Sequence, residues 1–221
     1  MGGAMAERRD SPYVWVTWIT RLLAGEHHCE WAAWFRAHHK NYAKQPTDFD
    51  LAQWAADHAD LVKTRAAQLQ ADGFTTTLED QNKFTLKGAS GAALGGKPDI
   101  VAKKGDRVTV VDCKTGKQRD SDYFQVLTYM TALPSARYEF RGMEIAGEVA
   151  YKDRPIPVAA ADLTAEVKGG IFKLLERVCG AVELQRVPSY SECSFCDISA
   201  VDCPERIEVA PSGDHEYLAP F

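Results

Sequence analysis

Two acids and a lysine stand close together in the middle of the chain. Asp99 opens Pro98-Asp99-Ile100-Val101-Ala102, and Asp112 and Lys114 close the run Arg107-Val108-Thr109-Val110-Val111-Asp112-Cys113-Lys114. Paired carboxylates suit a hard divalent cation such as magnesium or manganese, which takes oxygen ligands and fills its remaining positions with water or substrate phosphate. Without a cation the two negative charges would oppose each other, so ion binding relieves a repulsion that the fold imposes. Charged Lys114 has donors only and is no ligand. Its chemistry in such a place is to orient an attacking water or to offset charge on a scissile phosphate. On a solvated surface hairpin the same residues would do none of this, so the elements that position them decide the matter.

The β-branched content of both runs, with the turn Lys104-Gly105-Asp106 between them, predicts two strands joined as a hairpin. Side chains alternate faces along a strand, which puts Asp112 and Lys114 on one face, roughly 7 Å apart, and Cys113 on the other. Asp99 is expected to meet them across the hairpin. After Gly116 a helix is predicted over 120–133, where Gln125 and Tyr129 at i and i+4 share a face. Lys103, Lys104, Lys117 and Arg119 are expected where phosphates arrive, and Tyr123 or Phe124 could stack unpaired bases.

Pro98-Asp99, Asp112-Cys113-Lys114-Thr115-Gly116-Lys117 and Gln125-Val126-Leu127-Thr128-Tyr129 together resemble the PD-(D/E)xK nuclease superfamily, in particular its RecB-like branch, with D-x-K-T-G followed by Q-x-x-x-Y. The resemblance implies an α/β (α+β) fold, a mixed central sheet flanked by helices around a restriction-endonuclease-like core. It also implies metal-dependent hydrolysis of DNA, with Asp99, Asp112, Lys114, Gln125 and Tyr129 catalytic. One or two magnesium or manganese ions would be held by His58, Asp99, Asp112 and the backbone carbonyl of Cys113. His58 takes that role because iron-sulfur members of the branch carry a helical histidine between their first cysteine and first acid. His27, His28, His38 and His39 compete with it. Lys117, Arg119 and Tyr123 are the expected DNA contacts.

Six cysteines form the second pattern. Cys193-Ser194-Phe195-Cys196 followed by Cys203-Pro204 is metal-type spacing, and without a secretion signal tight cysteine pairs favour metal over disulfides. Three thiolates need a fourth ligand. Cys29 is the one implied by resemblance to RecB-like iron-sulfur nucleases, which place one cysteine before the core and three after it. A 4Fe-4S cluster is implied, while ligand softness alone leaves zinc open. Either would tie the chain ends together. Cys113 and Cys179 fall outside the pattern and are expected in the core.

Together these features resemble the CRISPR-associated iron-sulfur exonucleases, which trim DNA before spacer integration, and their stand-alone phage relatives. That resemblance implies single-stranded DNA as substrate, and a CRISPR integrase or phage recombination protein as partner. Two departures are visible: Asp112 stands where many CRISPR-associated members have Glu, and the interval from Cys196 to Cys203 is slightly longer than usual. A rival reading is a non-cleaving module of the same fold that grips DNA or an integrase.

With 221 residues and 45% hydrophobic content the chain suits one well-cored nuclease domain over 1–221. Its parts would be helical (12–72), core (73–183) and cysteine-bearing (184–221). No apolar run approaches a membrane span, and the first residues lack the regions of a signal peptide, which predicts a soluble cytoplasmic protein. Met1 to Ala4 reads as an extension before a native start at Met5. The net charge of −5 speaks against indiscriminate nucleic-acid binding. Further expectations are a helix capped by Ser11 or Thr17 reaching Leu23, and helices over 29–36, 48–72 and 162–183, the last capped by Asp162 or Thr164. Strands are expected within 74–86, over 137–144 and over 148–152. Gly95 and Gly96 are expected to let the backbone bend or a DNA strand approach.

Overall fold

The structure, a computed structural model, describes residues 6–210; the start at Met5 and the end of the cysteine-bearing segment lie outside the described residues. The chain begins with β1 (Glu7–Arg8), β2 (Tyr13–Trp15), α1 (Thr20–Leu23), α2 (Glu30–His38) and β3 (His39–Lys40), β1 pairing with β3. The expected capped helix is absent. Tyr13-Val14-Trp15 extends as a strand, and a 3-10 turn over Val16–Trp18 leads into α1 with no side-chain cap from Ser11 or Thr17. β-Branched and aromatic residues favour a pleated, half-buried surface, and a partner strand further along the chain supplies one.

Next comes α3 (Leu51–Ala71), where the Asp50 carboxylate accepts from Gln53 N–H at 2.9 Å and Gly73 ends the helix at φ 85. The stretch after it resolves into two strands of different sheets, β4 (Thr75–Leu78) and β5 (Phe84–Lys87), followed by β6 (Ala93–Gly96). β6 runs parallel to β2 and antiparallel to β5. Its glycines serve aromatic packing rather than DNA. A Cβ on Gly95 would strike the Tyr13 and Trp15 rings, and one on Gly96 would sit 2.6 Å from Phe84 and 2.9 Å from Tyr129.

The hairpin is β7 (Ile100–Lys104) and β8 (Arg107–Lys114), antiparallel with Ile100 opposite Val111, and Gly105 takes φ 59 in its turn. After α4 (Asp120–Ala136), β9 (Glu144–Tyr151) pairs parallel to β8, and the Pro-flanked β10 (Pro155–Val158) closes the edge. The sheet order is β10-β9-β8-β7-β4. Residues 137–144, expected as a strand, hold a 3-10 turn over Tyr138–Phe140 before β9 starts. α5 (Ala165–Cys179) is capped by Thr164, whose hydroxyl accepts from Val167 N–H, and a short α6 (Tyr190–Cys193) follows. Among the described residues, no helix is long and apolar enough to cross a membrane.

Alternation along β8 divides the core. Val108 and Val110 pack with Val126, Met130 and Leu133 of α4, whereas Val111 and Cys113 pack with Val62, Ala66 and Leu69 of α3. Even-numbered positions thus face α4, which aims Asp112 and Lys114 at that helix. Gly147 on β9 lets α4 approach closely, since a Cβ there would meet Val126 and Met130.

One partly buried ion pair locks α3 to the sheet: the Arg65 guanidinium donates to both oxygens of Glu148, each at 2.6 Å. Removing one partner of such a pair leaves an uncompensated charge. Glu148→Ala should therefore cost about 3 kcal/mol, lowering the melting temperature by about 6–12 °C in a chain of this size. An unchanged melting curve would show that Arg65 finds water or another acceptor at no cost.

Candidate active site

The hairpin, α3 and α4 converge where β7 begins and β8 ends. Asp99 precedes β7, is buried, and accepts the Cys113 backbone N–H at 2.7 Å through Oδ2. His58, on the middle of α3, places Nε2 3.2 Å from the same oxygen. That contact raises the His58 pKa, against the opposing effect of burial.

Asp112 is 2% exposed. Its Oδ1 accepts from Gln125 Nε2 at 2.6 Å, and its Oδ2 lies 2.8 Å from Lys114 Nζ. Oδ2 is otherwise closed off from solvent, and the Lys114 ammonium is the charge it faces. Burial pushes the Asp112 carboxyl up to about 6, against the pull of the Lys114 charge. Burial disfavours the Lys114 ammonium in turn, but the Asp112 carboxylate more than offsets this and its pKa is raised.

Gln125 joins these groups. Its Oε1 accepts from Lys114 Nζ at 2.9 Å, while Nε2 donates to Asp112 and, at 3.1 Å, to the Tyr129 hydroxyl oxygen. The Tyr129 hydroxyl donates to Lys97 O at 3.4 Å, and burial lifts its pKa well above the ordinary phenol range. The i and i+4 spacing therefore carries one polar chain from the lysine to the start of the hairpin.

Glu79 completes the site and has no sequence signal, since Glu79-Asp80-Gln81 reads as an ordinary turn. It leaves β4 at φ 39 and donates its backbone N–H to Asp99 O at 2.9 Å. One donor atom each from His58, Glu79 and Asp99 lies within 4.8 Å of the others. Two carboxylates and an imidazole at that spacing, with the buried Asp112 carboxylate as a further oxygen donor, fit a hard divalent cation.

Three of the competing histidines are engaged elsewhere, His38 stacking on Trp34, His39 on Phe35 and His27 meeting Arg21, and the fourth, His28, is fixed through its backbone N–H to Glu192. Lys117 and Arg119 are exposed in the loop leaving Lys114. Lys103 and Lys104 do not join them. Both lie at the far end of β7, where Lys104 Nζ donates to Asp72 O at 2.8 Å, because an antiparallel strand carries its last residues away from the site at which it begins. Tyr123 and Phe124 pack against the core, and the Tyr123 hydroxyl donates to Asp162 at 2.6 Å. Tyr123 lines a groove of about 260 Å³ with Gln118 and Arg119. Freer rings are those of Phe49 and Trp54, 59% and 41% exposed, and Trp54 stacks on His58 with centroids 5.1 Å apart.

Cys29, Cys193, Cys196 and Cys203 line one cavity of about 310 Å³. Arg36 donates to Cys196 Sγ, Val187 N–H to Cys29 Sγ, and Ile207 N–H to Cys193 Sγ, at 3.4 to 3.5 Å. Glu192 fastens the two chain regions by accepting from His28 and Cys29 N–H at 2.7 and 2.9 Å. Among the described residues, no three of these sulfurs lie within 4.8 Å of one another. Cys113 is buried in the core on the α3 side of the sheet, and Cys179 packs against the core on the α4 side.

A sequence model of the PD-(D/E)XK nuclease superfamily matches residues 5–204. No curated protein matches the sequence. Among solved structures, one described as "Crystal structure of SSO0001" is similar with a TM-score of 0.47 at 14% identity, over 91% of this chain and 90% of that one.

Proposed function

Because the chain belongs to the PD-(D/E)XK nuclease superfamily, we propose that it is a metal-dependent deoxyribonuclease, a single-strand-preferring exonuclease with some endonuclease activity. The observation that carries the reading is the buried Asp112 carboxylate, held by Gln125 and paired with Lys114, together with the His58, Glu79 and Asp99 group. Magnesium or manganese would be held by Asp99, Asp112, His58 and the Cys113 carbonyl, with Glu79 as a further carboxylate. Such a cation supplies a water of lowered pKa and steadies charge on the phosphate. Lys114 holds that water or offsets phosphate charge, and Gln125 keeps Lys114 and Asp112 in register. Support for unpaired substrate comes from Trp54 and Phe49, exposed rings beside the metal-binding group that offer bases a face to stack on.

The four cysteines are assigned to a 4Fe-4S cluster. What supports a shared metal centre is that all four sulfur residues line one cavity of about 310 Å³, and zinc is the alternative that thiolate softness leaves open. All 221 residues then work as one nuclease unit stapled near its ends, fitted to trimming spacer precursors or to phage or repair DNA metabolism.

End-labelled single-stranded and duplex DNA, incubated with manganese, magnesium or EDTA, tests the reading. Anaerobically purified wild type should cut with either metal, faster on single strands, while EDTA and Asp112→Ala abolish cutting. A folded, cluster-loaded protein that binds DNA and never cuts would leave the non-cleaving module.

A further inference from the structure

Phe195 sits between Cys193 and Cys196 and is 59% exposed. Two guanidiniums lie against its ring, Arg21 at 4.5 Å and Arg119 at 5.6 Å from the centroid, with the His27 ring at 6.1 Å. Among the described residues, neither arginine has a carboxylate within ion-pair distance. The two nearby acids are committed: Glu26 accepts from Ser121 N–H, and Asp122 accepts from the Tyr151 hydroxyl at 2.8 Å.

Two like charges gathered at one exposed ring, on a chain of net charge −5, are a local choice of the fold and suit an anion. The place is also continuous with the active site. Arg119 lies in the loop leaving Lys114, α1 packs on α4, and Asp122 on α4 approaches Lys114 Nζ at 3.9 Å. Arg21 and Phe195 line the cysteine cavity as well.

We propose that Phe195, Arg21 and Arg119 form a second contact point for an unpaired polynucleotide strand, a base lying on Phe195 and adjacent phosphates on the two guanidiniums. The cysteine-bearing segment then presents part of the substrate path as well as joining the chain ends. This assignment rests on the nuclease reading. An aromatic ring contributes sequence-tolerant stacking, and arginine adds charge and cation–π contact.

Fluorescence anisotropy of a labelled single-stranded oligonucleotide, in EDTA so that nothing is cut, tests it. Phe195→Leu should weaken binding about tenfold while Phe195→Trp keeps it, because base stacking on an aromatic ring is lost in the first and retained in the second. Arg21→Ala and Arg119→Ala should each flatten the slope of log affinity against log salt by about 0.7, the value for one single-strand phosphate contact. Melting temperature and visible absorbance confirm that each variant is folded and cluster-loaded. Wild-type affinity in Phe195→Leu, or unchanged slopes in both arginine variants, overturns the assignment while leaving a wild type that cuts DNA as a nuclease. A wild type that binds no oligonucleotide also overturns the assignment, and the cleavage assay with manganese or magnesium decides the nuclease reading separately.

Discussion

Lys114→Ala should lower the rate of cleavage at saturating DNA about a thousandfold, the range reported for losing one positioned electrostatic or proton-transfer group. Strand affinity measured in EDTA should stay near wild type. Two losses combine in the rate. The ammonium that orients water or offsets phosphate charge is gone, and Asp112 loses the neighbour that opposes its burial. With that pull removed, the Asp112 carboxyl, already pushed up to about 6, titrates higher still. A cation must displace the proton, so manganese binding should weaken as pH falls through about 6 in wild type and at a higher pH in the variant. Calorimetric titration with manganese across pH reads this directly. Lys114→Arg should not restore activity, because a planar fork cannot take the place of a compact ammonium between Asp112 and Gln125. Activity within tenfold of wild type in Lys114→Ala would remove the lysine from the mechanism.

Cys29→Ser should bleach the protein, strip its iron and lower the melting temperature by about 10–20 °C. Cys29 and Cys193 adjoin His28 and Glu192, whose contact spans 164 residues. In the chain-entropy picture of cross-links, closing a loop of that length is worth about 5 kcal/mol, and each kcal/mol moves the midpoint of a chain this size by about 2–4 °C. The variant should nevertheless stay folded. Glu192 still caps the start of α2, Arg36 still pairs with Asp197 at 2.7 Å, and Trp31 and Trp34 still donate to Glu183 and Gly180. Proteolysis should then open the segment after residue 184 before the nuclease core. Zinc in place of iron in the purified wild type, or an unmoved melting curve, would refute the cluster.

The alternation that put Asp112 and Lys114 on one face and Cys113 on the other, and the i, i+4 pairing of Gln125 with Tyr129, were legible in the sequence. So were α3, expected over 48–72 and found over Leu51–Ala71 with Gly73 after it, and the family itself. These rest on periods and caps set by local covalent geometry. Tertiary structure alone decided which ends meet. Glu79 reaches the site because β4 pairs antiparallel with β7, bringing its backbone to Asp99, and the same direction of β7 carries Lys103 and Lys104 away. Tyr13 to Trp15 became a strand because β6, about 80 residues later, lies parallel to it. Gly95 and Gly96, expected to let the backbone bend or a DNA strand approach, make room for the rings of Tyr13, Trp15, Phe84 and Tyr129. Phe195 meets Arg21 and Arg119 only once the chain ends are joined. Such contacts depend on pairings between distant segments, and no local pattern records their register or direction.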